Sequence, residues 1–340
     1  MNTETTNSND SREHSSVSRA GHPAPVHHLA PLSLVVMAFA AVYIIWGSTY
    51  LAIRFAVESI PPFMMAGARH LTAGLLLFAF TRLRGVAAPT WPQWRDATIA
   101  GILMLVIGNG GVSWAEQHVP SSTTALLVAL VPLWMVLLDW LRSGGVRPRA
   151  LVGAGLVVGF VGVGLLARGH GEHHESAYGW SVVVLFAASV SWAYGSIFNR
   201  TARKPASPFL GVAMQMVAGG VVLFLLAGTQ GEFGQFHFAR VTALSFGSWL
   251  YLAIAGSLVG YTAYIWLLHA STPARVATYA YVNPLIAVLL GCTLGHEAFS
   301  HELIIAGALI ILAVALIVRG AQAGTKNVSK SEAPAIPVAE

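Results

Sequence analysis

Three places in this 340-residue chain gather side chains that could do chemistry. His296-Glu297-Ala298-Phe299-Ser300-His301 holds two histidines and a carboxylate, the ingredients of a zinc-hydrolase helix. Such a helix needs its histidines four apart, so that both meet the metal from one face, and Ser300 stands in the required place. Gly108-Asn109-Gly110-Gly111 has the glycines of a phosphate-cradling loop, but neither the following Lys-Ser/Thr nor a preceding strand. No Gly-x-Ser-x-Gly elbow and no spaced acid pair is present, so the chain is not read as an enzyme. The third place is Pro273–Gly291, where Tyr279, Tyr281 and Asn283 precede Pro284 in otherwise apolar sequence. Hydroxyls, an amide and aromatic faces in that setting serve binding.

The elements that position these groups follow from composition. The chain is 55% hydrophobic and 10% charged, with a mean hydropathy of +0.65. Soluble domains carry roughly 25% charged residues, so this composition reads as an integral membrane protein with the lipid bilayer as its solvent. The net charge of +5 suits Lys- and Arg-rich cytoplasmic loops and needs no nucleic acid. A lone cysteine, Cys292, excludes an intrachain disulfide. His14, His22, His27 and His28, and later His170, His173 and His174, lack ordered ligand spacing, so no metal and no cofactor is expected.

Apolar runs near the ~20 residues that cross a bilayer recur ten times. They cover 33–57, 62–81, 95–116, 121–141, 150–167, 178–198, 208–228, 243–268, 274–293 and 302–319. The segments 1–32 and 320–340 read as polar, disordered tails, and 168–177 as a connecting loop. Of the 19 Lys and Arg residues, 15 fall in loops or tails on one side, two on the other (Arg168 and Arg240), and Arg54 and Arg69 within spans. That bias places both termini in the cytoplasm.

The ten spans divide into two copies of five. Trp46–Arg54 aligns with Trp192–Arg200 at an offset of 146, which also sets Pro62 on Pro208 and Gly74 on Gly220. After a longer loop the offset becomes 152, setting Gly108 on Gly260, Pro132 on Pro284 and Gly155 on Gly307. An odd number of spans per copy forces the second to run through the membrane in the opposite sense. Inverted repeats of this kind build secondary transporters whose binding site lies at the midplane, marked by helix breakers at matching positions. Pro132 with Pro284, and Gly108 with Gly260, are such pairs and are expected to kink and gate.

Trp46, Ser48, Asn109, Trp192, Tyr194, Tyr264, Tyr279, Tyr281 and Asn283 are candidates to line a substrate cavity; helix packing is the alternative for each. Arg69 either snorkels outward or faces the interior, where an ionisable residue points to function. Its repeat counterpart is Gln215. His70, pointing to another face, reads as packing. Glu58, Glu116, Asp139, Glu297 and Glu302 fall at or near helix ends, so no deep carboxylate is expected, and a neutral, zwitterionic or anionic substrate fits best.

Trp46-Gly47-Ser48-Thr49, Pro61-Pro62 followed by Arg69, the Pro132 and Pro284 helices, and Leu294-Gly295-His296-Glu297 together resemble the EamA-type family of the drug/metabolite transporter superfamily. Residues 106–134 are similar to its YedA-like subgroup of inner-membrane metabolite exporters. The resemblance covers roughly 33–320. It implies an all-α membrane protein of ten helices as two inverted five-helix repeats, exporting small metabolites, amino-acid-like compounds or drugs, as a monomer or homodimer. Protons are a candidate coupling ion. Gly145 stands where the first repeat would match Glu297, so any role of that acid is asymmetric. A nucleotide-sugar exchanger, a lipid flippase and a non-transporting scaffold are the competing readings. Spans 1, 3, 4, 6, 8 and 9 are expected to line the cavity.

Overall fold

The computed structural model describes residues 31–141, 150–168, 175–271 and 278–331. Among them there is no strand. The ten long elements are α1 (Leu32–Val57), α2 (Pro62–Leu83), α3 (Trp91–Ala115), α4 (Ser121–Leu141), α5 (Ala150–Arg168), α6 (Glu175–Thr201), α7 (Pro208–Thr229), α8 (243–270), α9 (Tyr279–Thr293) and α10 (His301–Ser331). Eight contain a stretch long and apolar enough to cross a bilayer, while α5 and α9 contribute shorter apolar stretches, Ala150–Gly162 and Val282–Thr293. The polar tails at 1–30 and 332–340, the histidines of 169–174, and Gly145 lie outside the described residues.

Local sequence explains most boundaries. Pro62 and Pro208 occupy first helical positions, where a missing N–H costs nothing. Thr90 and Thr242, at the 152-residue offset, open α3 and α8. Gln93 Oε1 accepts the Thr90 N–H at 2.9 Å, and Thr242 Oγ1 accepts the Ser245 N–H at 3.1 Å. Two further helix starts are capped from a distance. Glu232 accepts the N–H groups of Phe63 and Met64 at 3.2 and 2.7 Å, and Glu297 those of Ser121 and Ser122 at 2.7 and 3.0 Å. A carboxylate there answers both the orphan donors and the positive end of the helix dipole.

Packing obeys a two-fold exchange of repeats. α2 lies against α7 and α5 against α10, each on its own counterpart. α1 packs on α9 as α6 packs on α4, and α3 on α6 as α8 on α1. Apolar surface gains little by leaving lipid for another helix, so close approach through small residues carries the association. At the α2–α7 crossing a Cβ on Gly74 would sit 2.8 Å from Val217 N, and one on Gly220 2.7 Å from Leu71 N. The glycines are reciprocal.

Three features depart from the sequence expectation. α10 does not stop at Gly320 but runs to Ser331, crossing Gly324, with the helix formers Ala321, Gln322, Ala323 and Lys326 among the added residues. α3 and α8 each contain a π-helical stretch, Ile102–Gly110 and Leu252–Gly260, in closely matching places. α4 is interrupted at Ala129-Leu130, one turn before Pro132, whereas α9 carries Pro284 without a break.

Candidate functional site

A cavity of about 110 Å³ lies where the two repeats meet, with walls from eight helices, α1 to α4 and α6 to α9. α2 and α7 join the six expected because Arg69 and His70 on α2 and Met216 on α7 reach it.

Arg69 is 6% exposed, and its Nε donates to Ser257 Oγ on α8 at 3.0 Å. Its Nη1 has no partner among the described residues. His70, against expectation, lines the same cavity. Its Nε2 lies 3.3 Å from Asn109 Oδ1, while Nδ1 is unpartnered. Sequence reasoning assigned these adjacent residues to different faces, but the cavity wraps far enough around α2 to meet both. Asn283 is buried, with its Oδ1 unpartnered. Buried polar atoms in proteins are ordinarily paired; here three residues lining one cavity each keep one buried polar atom without a partner among the described residues.

The apolar side of the cavity is aromatic. The Trp46 ring lies 5.5 Å from Tyr279, edge to face, and 6.1 Å from Tyr261. Tyr264 does not line the cavity, but stands behind Trp46 at 5.0 Å and meets Tyr279 at 5.9 Å. Trp46 Nε1 donates to the Gly256 carbonyl at 3.2 Å. Trp192, Asn109, Gly108, Pro132 and Pro284 also line the space. Gly260 presses on Trp46 and Gly108 on Trp192. The side chain of Tyr281 lies outside the described residues.

Two further candidates, like Tyr264, lie outside the cavity lining. Tyr194 is 51% exposed, outside the cavity, because two residues turn a helix by about 200° from Trp192. Ser48 is likewise two residues past Trp46. Its hydroxyl donates to the Ile44 carbonyl at 2.8 Å and pairs with Tyr251 OH at 2.6 Å.

Two of the acids expected near helix ends are nevertheless buried there. Glu116 is 2% exposed, and the Glu297 side chain is 3% exposed. Both are at helix ends, as the sequence has them, but those ends are roofed by neighbouring elements. Glu297 holds three donors, the Ser121 hydroxyl included, with Arg54 Nη1 at 3.9 Å. Buried carboxylates are therefore present, and the acids do not select a neutral, zwitterionic or anionic substrate. A larger recess of about 370 Å³ lies near the α1–α2 loop, but its Glu232 is already occupied by two N–H donors.

The EamA-like transporter family model matches twice, over residues 33–168 and 179–319, one match per five-helix repeat. The chain belongs to the EamA-like transporter family. This EamA chain is a multi-pass membrane transporter of the drug/metabolite superfamily. It is 41% identical over 285 residues, 82% of its length and 89% of the other's, to the uncharacterized inner membrane transporter YedA of Escherichia coli (strain K12). It is 27% identical over 293 residues, 85% of its length and 94% of the other's, to the probable terminal-alkyne amino-acid exporter of Streptantibioticus cattleyicolor. A solved crystal structure at 22% identity matches with a TM-score of 0.59 over 88% of this chain and 99% of its own, a likeness of fold.

Proposed function

We propose that this EamA transporter exports small, amino-acid-like metabolites across the inner membrane by alternating access. The supporting observation is the set of buried, unpartnered polar atoms around the inter-repeat cavity: Arg69 Nη1, His70 Nδ1 and Asn283 Oδ1. A guanidinium is fitted to a carboxylate. The Asn283 carbonyl oxygen suits an ammonium, and the Trp46–Tyr261–Tyr279 wall suits an apolar side chain. The relative named as an amino-acid exporter supports that class.

Cytoplasmic termini, supported by the bias of Lys and Arg among the loops, make the face of the α1–α2, α3–α4 and α9–α10 loops external. Tyr43, near the middle of α1, meets Thr278 at the start of α9. Alternating access then opens one end as the other closes, with bending at Pro132 and Pro284 and sliding at Gly108 and Gly260. The cavity is assembled within one chain, so a monomer suffices. Arg69 is the one Arg or Lys among its lining residues, too little positive charge to favour a nucleotide-sugar exchanger.

Reconstituted vesicles preloaded with labelled leucine and a panel of other amino acids test this. The wild type should release at least one of them faster than protein-free vesicles, and Arg69→Gln should abolish that release. Equal release from both kinds of vesicle across the panel contradicts the proposal.

A further inference from the structure

Trp46 and Arg69, the aromatic and cationic sides of the cavity, are held by neighbouring residues of one π-stretch. In α8 the Gly256 carbonyl accepts from Trp46 Nε1 at 3.2 Å, and the Ser257 hydroxyl accepts from Arg69 Nε at 3.0 Å. Ser257 is buried and lines the cavity itself. A serine inside a helix commonly turns its hydroxyl back on the carbonyl four residues earlier. Ser113 does so to Asn109 at 3.0 Å, and Ser189 to Leu185 at 2.8 Å. Ser257 faces α2 instead.

The π-stretch of α3 also bonds across helices. Its Leu103 carbonyl accepts the Ser191 hydroxyl at 2.7 Å, and its Asn109 side chain meets His70 at 3.3 Å. A π-turn moves a helix's own hydrogen bonds by one residue, which turns such groups toward neighbouring helices. Arg69 and His70, adjacent on α2, are therefore each tied to the irregular turn of a different repeat.

Arg69 gains most from this tie. An arginine has many rotamers to lose, and in mid-membrane its charge belongs in the bundle interior. A guanidinium meets a carboxylate through two parallel bonds along either of two edges. One edge is formed by Nε with an Nη, the other by both Nη groups. Bonding Nε to Ser257 closes the first edge and leaves the second. Because Nε is conjugated with the rest of the group, the bond also fixes the plane in which that second edge lies.

We infer that Ser257 is a positioning residue for Arg69, which by holding Nε commits the guanidinium to end-on capture of a carboxylate through Nη1 and Nη2. The inference rests on the proposed function. Since Gly256 holds Trp46 from the adjacent position, the carboxylate and the apolar side chain of one substrate are both registered against a single turn of α8.

Two measurements on the full-length protein test this. In nanodiscs with 15N-labelled arginine, the Arg69 Nε–H signal is assigned by its loss in Arg69→Lys. Its proton, shifted downfield by the bond, should move upfield in Ser257→Ala and return in Ser257→Thr. Leucine binding to the same preparations should weaken by about tenfold in Ser257→Ala, the worth of one hydrogen bond to a charged group, and recover in Ser257→Thr. In vesicles the KM for leucine efflux should rise by the same factor, with the maximal rate nearly unchanged. An Nε proton that does not move in Ser257→Ala overturns the inference, whatever leucine does. A lower maximal rate at unchanged KM overturns it too, since Ser257 then serves helix movement and not the guanidinium. The expected proton shifts, in a wild type that binds neither leucine nor any other amino acid of the panel, support the hold on Arg69 and remove the amino-acid reading of the cavity.

Discussion

The indole of Trp46 occupies the space that a side chain on Gly260 would need: a Cβ there would fall 2.7 Å from Trp46 Nε1. Gly108 stands in the same relation to Trp192, with a Cβ 3.0 Å from Cε3. One repeat's tryptophan thus rests on the other repeat's π-helical glycine, twice. A π-stretch is a common feature of functional helices because it leaves a local bulge. Here the bulges lie beside the two cavity tryptophans.

Gly260→Ala should therefore displace Trp46 and slow transport strongly, with an overpacking cost of about 1–3 kcal/mol. Gly108→Ala, with slightly more room, should be milder. Thermal unfolding in detergent alongside vesicle efflux ranks the two; equal, wild-type behaviour of both would show that the tryptophans move freely.

Glu297 is a second point of leverage. Glu297→Gln keeps an acceptor but loses the charge that faces the Ser121 and Ser122 N–H groups and Arg54. A loss of about 1–2 kcal/mol is expected, in the range of a forfeited helix cap. Ser121→Ala, which removes only the 2.7 Å hydroxyl bond, should cost less. Thermal melts of the two variants give the order, and a more damaging Ser121→Ala would contradict the capping account.

Pro284→Ala gives the helix back the N–H that can bond the Ala280 carbonyl, and Pro132→Ala does so for Val128. Both variants should fold and bind substrate while exchanging it between the two sides more slowly. Normal efflux from vesicles holding either variant would show that bending at these prolines plays no part.

The sequence carried the large-scale plan because its signals repeat. The offsets joining Gly74 to Gly220 and Pro132 to Pro284 survive in the helix pairs, since glycine and proline act through the backbone and do not depend on distant partners. Side-chain direction was less legible. Tyr194 and Ser48 were grouped with tryptophans two residues away, although helical phase already turns them aside. His70 and Glu116 could not be read from position along their spans. Their surroundings come from α3 in one case, and from α1, α2 and the α9–α10 turn in the other. The π-stretches have no sequence signature beyond their glycines. Arg69 against Gln215 marks where the repeats diverge: the guanidinium faces the cavity, while Gln215 Nε2 turns to Asn199 Oδ1 at 3.4 Å.

The most direct test of the central claim places a single cysteine at Ser189, a buried residue of the cavity wall, in a chain whose Cys292 is replaced. A membrane-impermeant maleimide is then applied from each side of sealed vesicles. The account predicts labelling from both sides, with substrate slowing each. Labelling from one side only, or from neither, would contradict alternating access through this cavity.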